Sequence, residues 1–211
     1  MLSLFVNDPI GALKMVLYML PGLIIGFTLH EWGHAFAADK MGDKGPREAG
    51  RLSLNPMAHI DWIGLSFFVL LGFGWAMPVK TNPYMYKNRK WGRIFVALAG
   101  VVMNLALCFV FGLLYVLSLK TNIGALTMIC LYGISVNATL FALNLLPIPP
   151  LDGSKVLMTF FPSKLDVWMK LERYGILLLV ILSVLDILEV YLSIISGFLI
   201  TGALMLWQFL L

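Results

Sequence analysis

Long apolar stretches constrain the fold of this chain more than any other feature of its sequence. Five of them occur along the 211 residues, at positions 10–38, 62–79, 95–119, 124–147 and 175–211. A helix needs about 20 apolar residues to cross a bilayer, and the last stretch is long enough to cross twice. Only 12% of the residues are charged, about half the fraction of an average soluble domain. The sequence therefore predicts a multi-pass membrane protein and excludes an ordinary soluble domain.

The positions of the basic residues predict which side of the membrane each connection occupies. Four follow the first apolar stretch, five follow the second and four follow the fourth, and only Lys14 and Lys120 remain of the 15 in the chain. The positive-inside rule places all three clusters in the cytoplasm. The stretch at 62–79 must then enter and leave on the same side, because a full crossing would separate the first two clusters. The clusters are Lys40, Lys44, Arg47 and Arg51; Lys80, Lys87, Arg89, Lys90 and Arg93; and Lys155, Lys164, Lys170 and Arg173.

The composition of residues 62–79 also argues against a spanning helix. Glycines and a proline interrupt this stretch, and aromatic and smaller residues alternate within it as in a strand. Non-helical backbone at membrane depth is tolerated only where it is buried in protein or lines a cavity. We therefore expect a re-entrant loop or β-hairpin beside a functional site. The interrupting residues are Gly64, Gly72, Gly74 and Pro78, and the alternating ones are Phe73, Trp75 and Met77.

These observations predict an all-α polytopic membrane protein with about five transmembrane helices plus the re-entrant segment. The N-terminus is expected outside, and the final apolar stretch should form a hairpin that turns near residues 188–193, around a polar glutamate. We expect a single domain over residues 1–211, with its core at 10–153 and a C-terminal helical hairpin at 174–211. The first stretch lacks the basic leader of a cleaved signal peptide, so we expect it to be retained.

One polar motif lies near the end of the first apolar stretch. The segment His30-Glu31-Trp32-Gly33-His34 has two histidines four residues apart, so in a helix both imidazoles leave the same face and can bind one zinc ion. Glu31 lies at the edge of that face, where it can serve a metal-bound water as general base. Charged residues at the bilayer centre cost about 2.5–3.5 kcal/mol on insertion scales, and they normally face a protein interior or a wet cavity. The motif therefore indicates a functional metal site.

A third ligand must complete such a site, because catalytic zinc usually has three protein ligands and one open position. The candidates are His59 and the few carboxylates near the membrane. The segment Asn-Leu-Leu-Pro-Ile-Pro-Pro-Leu-Asp-Gly at 144–153 closes the fourth apolar stretch at the predicted cytoplasmic side. Its three prolines break the helix, which lets Asp152 turn back toward the bundle. His59 lies in a turn with Asn and Pro, where ordering of the loop is expected rather than metal binding.

At this point the chain resembles the site-2 protease family of intramembrane zinc metalloproteases. The two signatures of that family, His-Glu-x-x-His and Asn-x-x-Pro-x-x-x-x-Asp-Gly, are both complete here. Segments at 50–61, 72–79 and 171–175 look like the compact prokaryotic branch, and the resemblance covers roughly residues 10–205. We recognise neither the PDZ nor the CBS segment that larger relatives carry.

The resemblance implies a role for each motif residue. The zinc ligands would be His30, His34 and Asp152, and the catalytic base would be Glu31. Asn144 would support the substrate or the developing oxyanion. The family often carries Gly-Pro-x-x-Asn at the start of the next helix. This chain reads Gly-Val-Val-Met-Asn at 100–104 and lacks the proline, so the role of Asn104 stays open.

The expected activity is hydrolysis of peptide bonds in or near transmembrane segments, by one Zn²⁺ ion near the cytoplasmic face. A substrate helix hides its carbonyl groups in internal hydrogen bonds and must unwind, after which an exposed edge of the re-entrant segment could pair with it by strand addition. The expected edge consists of Gly72, Phe73, Gly74 and Trp75. The expected partners are the lipid bilayer and single-pass membrane proteins, such as anti-sigma factors, or signal-peptide remnants. Nucleic acid is not expected, because the basic run at 87–93 is typical of a solvated cytoplasmic anchor.

Two other functions fit some of these features. A membrane metal-ion transporter would also carry histidines and carboxylates, but here they cluster at one membrane level and form no ladder through the other helices. A non-catalytic relative that binds membrane peptides would not need Glu31, whose presence favours an enzyme.

Overall fold

The computed structural model describes residues 2–71 and 74–211. Within these ranges the chain forms nine α-helices, which are α1 (Leu2–Asn7), α2 (Pro9–Met41), α3 (Gly45–Glu48), α4 (Trp62–Leu71), α5 (Arg89–Ser118), α6 (Gly124–Leu145), α7 (Asp152–Phe160), α8 (Leu165–Val184) and α9 (Ile187–Leu210). Helices α2, α5, α6 and α9 are long and apolar enough to cross a membrane. The predicted all-α polytopic membrane fold is therefore confirmed.

Three helices, α2, α5 and α6, pack against one another, and α9 packs against α5 and α6. Small residues allow the closest approach, since a Cβ on Gly22 of α2 would lie only 2.6 Å from the Cα of Gly133 in α6. Leu23 and Phe27 of α2 pack with Val136 of α6 beside this contact. Lipid tails are as apolar as these side chains, so close van der Waals packing holds such helices together.

The described residues on either side of Gly72 and Phe73 are a short helix and an extended segment. The ten residues of α4 span about 15 Å, which is too short to cross a bilayer. The chain then returns in extended form, and Ala76 makes an isolated antiparallel bridge with Ile60. The Met77 N–H also donates to the His59 carbonyl at 2.8 Å. The chain before α4 and the extended segment after it therefore lie side by side.

The structure of this segment differs from the β-hairpin that was one of the two expectations. Residues 62–71 are apolar except for Ser66, contain one glycine and no proline, and form a helix. Gly72 and Phe73 themselves lie outside the described residues. The return of the chain agrees with a re-entrant segment, and its depth in the membrane stays a prediction.

The C-terminal hairpin turns earlier than the sequence predicted. Helices α8 and α9 are joined at Leu185 and Asp186, and Asp186 has a left-handed φ of 58°. Aspartate adopts this conformation more readily than most residues, so it can form the turn. The prediction of a turn at 188–193 was wrong because Glu189 lies in the first turn of α9, where it accepts a hydrogen bond from the Ser183 hydroxyl at 2.5 Å.

The number of membrane crossings depends on α8. Its 20 residues are long enough to cross, but Lys170, Glu172 and Arg173 lie in its first half. Only α2, α5, α6 and α9 have clear spanning character among the described helices. The count of about five crossings therefore stays a prediction, in which α8 is the fifth.

We expect Gly22→Leu to destabilise the bundle, because the new side chain would overlap Gly133 and push α2 away from α6. Overpacking of this kind costs about 1–3 kcal/mol. The midpoint of thermal unfolding, measured on purified protein in detergent, should fall. Gly197→Leu in α9 is the matched control, since a Cβ at Gly197 meets nothing within 4 Å. Equal midpoints for the two variants would contradict the close contact of α2 and α6.

Candidate metal centre

Helix α2 supplies the two histidines and the glutamate of the polar motif. His30, Glu31 and His34 lie near its C-terminal end, and each is only 7% exposed. The two histidines are about one helical turn apart, so their rings share a face and meet edge to face. Their Nε2 atoms are 3.0 Å apart.

Asp152 reaches the histidines from a different helix. It is the first residue of α7, after the proline-containing break that follows α6. Its Oδ2 atom lies 3.1 Å from His30 Nε2 and 2.9 Å from His34 Nε2. Gly153 permits this position, because a Cβ there would collide with carbonyl oxygens at the end of α6. The structure thus brings together the three residues that the sequence predicted as ligands.

The partners of the two rings determine where their protons lie. His34 Nδ1 is 2.7 Å from the Val96 carbonyl oxygen, which can only accept, so Nδ1 carries a proton. In the neutral ring, which is the form that binds a metal, Nε2 then keeps a lone pair. His30 Nδ1 is 2.7 Å from Asn104 Oδ1, while the amide nitrogen of Asn104 faces other acceptors. The same assignment therefore holds for His30. Both Nε2 lone pairs face the Asp152 carboxylate.

With both rings neutral, three lone-pair atoms converge here. Asp152 Oδ2 is buried and has no hydrogen-bond donor. Such an arrangement favours a cation, and the separations of 3.0, 3.1 and 2.9 Å between the three atoms would suit one ion held by all of them. Two imidazoles and one carboxylate are a donor set found in catalytic zinc sites. His30, His34 and Asp152 could therefore hold one metal ion.

Helix α5 packs directly on the two imidazoles. A Cβ at Gly100 would lie 2.6 Å from His34 Nε2 and 2.7 Å from His30 Nε2. A glycine is therefore needed here for α5 to lie this close to the rings. The sequence signal for this role was the start of the Gly-Val-Val-Met-Asn segment at 100–104.

The backbone of the extended segment after α4 holds Glu31. The Val79 N–H donates to Glu31 Oε2 at 2.7 Å. Arg51 fixes this segment in turn, because its guanidinium donates to the carbonyl oxygens of Ala58 and Met77. Sequence reasoning missed the Val79 contact, since a backbone donor leaves no pattern in the sequence.

Lys155 is a second residue of the site that sequence reasoning missed. Its Nζ atom lies 2.7 Å from Asp152 Oδ1, so the two carboxylate oxygens have different neighbours. This charged hydrogen bond orients the carboxylate with Oδ2 toward the histidines. The available signal was the spacing of an acid and a base three residues apart in a helix.

A cavity of about 1680 Å³ opens onto His30, Glu31, His34 and Asp152. Its walls come from α2, from each of the helices α4 to α9, and from the extended segment. Asn144 also lines it, near the end of α6. The Asn144 amide nitrogen donates to the Leu140 carbonyl of its own helix at 3.0 Å. The three candidate ligands, Glu31 and Asn144 thus line the same cavity.

Of the four residues predicted to form the substrate edge, the structure describes two. Gly74 and Trp75 line the cavity, whereas Gly72 and Phe73 lie outside the described residues. Gly74 also has a packing role, because a Cβ there would come within 2.8 Å of the Phe68 Cβ in α4. A side chain at this position would therefore disturb the fold of the segment as well as any substrate.

His59, the alternative third ligand, lies elsewhere. It is completely buried, and its Nε2 atom is 2.7 Å from the Ser53 carbonyl oxygen. The group of described residues that could hold a metal does not include it. Its hydrogen bond agrees with the predicted ordering of the loop.

Comparison with known proteins gives relatives over most of the chain. YwhC of Bacillus subtilis (strain 168), a zinc metalloprotease by name, is 36% identical over 183 residues, which are 82% of this chain and 82% of the relative. Rip2 of Mycolicibacterium smegmatis, with the same designation, is 30% identical over 184 residues, which are 82% of this chain and 69% of the relative. No solved structure matches the chain significantly.

A third relative and a family profile agree with these two. MJ0611 of Methanocaldococcus jannaschii, also a zinc metalloprotease by name, is 35% identical over 137 residues, which are 63% of this chain and 64% of the relative. The profile of peptidase family M50 matches residues 18–129, which include His30, His34 and Asn104. The resemblance inferred from the two motifs is confirmed. The chain belongs to peptidase family M50, the site-2 protease family of membrane metalloproteases.

Proposed function

We propose that this chain is an intramembrane zinc metalloprotease that hydrolyses peptide bonds in or near the transmembrane segments of membrane proteins. The observation that carries the proposal is the convergence of two imidazole nitrogens and one carboxylate oxygen next to Glu31, at the wall of a large cavity. The names of YwhC and Rip2 support zinc as the metal.

His30, His34 and Asp152 would hold the zinc ion. When bound, zinc supplies Lewis acidity, which polarises a carbonyl group and lowers the pKa of a coordinated water to about 7. Lys155 keeps Asp152 oriented, and the Val96 carbonyl keeps His34 oriented. The donor atoms therefore converge through contacts within the protein itself.

Glu31 is the general base in this proposal. It follows His30 in the chain and lines the same cavity, and the Val79 N–H engages its Oε2 atom. The other oxygen, Oε1, takes a proton from the attacking water, whose oxygen bonds to the substrate carbonyl carbon. The proton then passes to the amide nitrogen as the C–N bond breaks, which releases the amine product.

Asn144 would donate a hydrogen bond to the oxyanion that develops on the substrate carbonyl. For this its amide must turn away from the Leu140 carbonyl, to which it now donates. Donors of this kind are worth about 3–4 kcal/mol in other hydrolases. Its position on the wall of the shared cavity supports the role.

The cavity suits an apolar transmembrane segment as substrate. A helix about 10 Å across fills roughly 80 Å³ per ångström of length, so the 1680 Å³ cavity could accept about 20 Å of helix. Its walls are mainly apolar, with Leu23 and Phe27 from α2, Leu140 from α6, and Leu179 and Val180 from α8. An apolar segment therefore loses no hydrogen bonds on entering it.

The extended segment at 74–80 would receive the unwound part of the substrate by strand addition. Gly74 and Trp75 line the cavity there, and Val79 connects this segment to Glu31. The positive-inside distribution supports an active site toward the cytoplasmic side. Single-pass membrane proteins such as anti-sigma factors, or signal-peptide remnants, would be the substrates.

Metal-ion transport has less support as a function. A transport path needs a series of metal-binding groups through the membrane. The described part of the chain contains one group of three or more such residues, which is His30, His34 and Asp152.

We expect Glu31→Gln to lower cleavage by about 10²–10⁴-fold, because the variant has no general base. Zinc should be retained, since Glu31 is not a member of the ligand group. Cleavage of a model transmembrane substrate by the purified protein and zinc content by mass spectrometry measure the two effects. Glu48→Gln, which changes an exposed carboxylate of α3, is the control. Normal proteolysis by the Glu31 variant would show that Glu31 is not the general base.

Asp152→Ala should weaken zinc binding by more than the 10–100-fold loss typical when a residue that only orients a ligand is changed, because a direct ligand is lost. Competition with a chelator of known affinity measures the change. Glu172→Ala, at an exposed position of α8, should bind zinc as the unaltered protein does. Full zinc affinity in Asp152→Ala would refute its role as a ligand.

A further inference from the structure

Two asparagines are completely buried in the apolar bundle beside the metal group. Asn104 lies on α5 and Asn137 on α6, and both are 0% exposed. A buried amide is costly unless its donors and acceptor are all engaged. Here the two amides bond to each other, with Asn104 Nδ2 donating to Asn137 Oδ1 at 3.1 Å. The pair ends at His30, whose Nδ1 is 2.7 Å from Asn104 Oδ1.

The far end of this pair determines how both amides are oriented. Asn137 Nδ2 donates to the carbonyl oxygens of Gly133, at 2.9 Å, and Gly22, at 3.2 Å. Backbone carbonyls can only accept, so the Asn137 nitrogen must face them and its oxygen must face Asn104. The Asn104 nitrogen then faces Asn137, and the Asn104 oxygen faces His30.

The reverse orientation of Asn104 would be incompatible with a metal ion. Its NH₂ group would face His30 Nδ1, which would then have to accept. The ring proton would move to Nε2, the atom that lies 3.1 Å from Asp152 Oδ2. Apart from Asn137, the Asn104 nitrogen has one longer contact, at 3.4 Å to the Gly26 carbonyl.

We propose that Asn137 is a positioning residue for the metal centre and acts through Asn104 to hold His30 with its proton on Nδ1. The inference rests on the proposed metal site and adds a residue that touches neither the metal ligands nor the substrate. The proton position on His34 does not depend on an asparagine, because the partner of its Nδ1 is the Val96 carbonyl, which can only accept a hydrogen bond. The hydrogen bonds from Asn137 through Asn104 to His30 form a relay. This relay also connects the metal centre to the contact of α2 and α6, where the Gly22 carbonyl accepts from Asn137.

The test compares zinc affinity in Asn137→Leu and Asn137→Asp, by chelator competition in detergent. Both variants lose the NH₂ group that donates to Gly22 and Gly133, so both should unfold at lower temperature without metal. Only Asn137→Leu loses the oxygen that accepts from Asn104. We therefore expect Asn137→Leu to bind zinc about 10–100-fold more weakly, and Asn137→Asp to stay close to the unaltered protein.

A double variant tests whether Asn137 acts through Asn104. In an Asn104→Leu background, Asn137→Leu should cause no further loss of zinc affinity, because the relay is already broken. Thr127→Val is the matched control, since Thr127 of α6 accepts a hydrogen bond from Ser118 of α5 at 3.2 Å, far along the same helix pair. It should leave zinc affinity unchanged.

Three results would overturn the relay. These are unaltered zinc affinity in Asn137→Leu, equal losses in Asn137→Leu and Asn137→Asp, and an additive loss in the double variant. If Asn137→Leu does not fold, Asn137→Ala gives the same comparison with Asn137→Asp. Failure of the unaltered protein to bind zinc would instead refute the metal site of the proposed function itself.

Discussion

Polar atoms buried in an apolar bundle must find partners, and this requirement organises the centre of the molecule. An unpaired buried polar group costs about 1–3 kcal/mol in proteins. The Nδ1 atoms of His30 and His34 both find acceptors on α5. Their Nε2 atoms face the carboxylate of Asp152 on α7, whose buried Oδ2 atom has no hydrogen-bond partner. The metal group therefore depends on the packing of α2, α5 and α7 together, and no single helix could provide it.

Glycines make that packing possible. Gly100 leaves room for both imidazoles against α5, and Gly153 lets the first turn of α7 lie against the end of α6. Gly22 lets α2 touch α6, which brings its carbonyl within reach of the Asn137 amide. Between lipid-embedded helices the hydrophobic effect contributes little, so such close contacts stabilise the bundle. The same contacts also set the positions of the polar groups.

The sequence predicted the parts of the site that short patterns encode. The i, i+4 histidines needed only a helix, and the helix break before Asp152 needed only prolines, so both were predictable from local rules. The helical form of α4 and the turn at Asp186 depend on competition between neighbouring preferences, which local patterns do not resolve. The pairing of Asn104 with Asn137 and the Val79 contact join residues far apart in the chain. Only the packed structure brings these together.

The hydrogen bond from the Val79 amide to Glu31 joins two parts of the proposed mechanism. The extended segment that would bind the substrate also holds the group that would accept the proton. A displacement of that segment by a fraction of an ångström would reach the carboxylate through a single hydrogen bond. Substrate binding and proton transfer would therefore be coupled, and a poorly bound peptide would also meet a misaligned base.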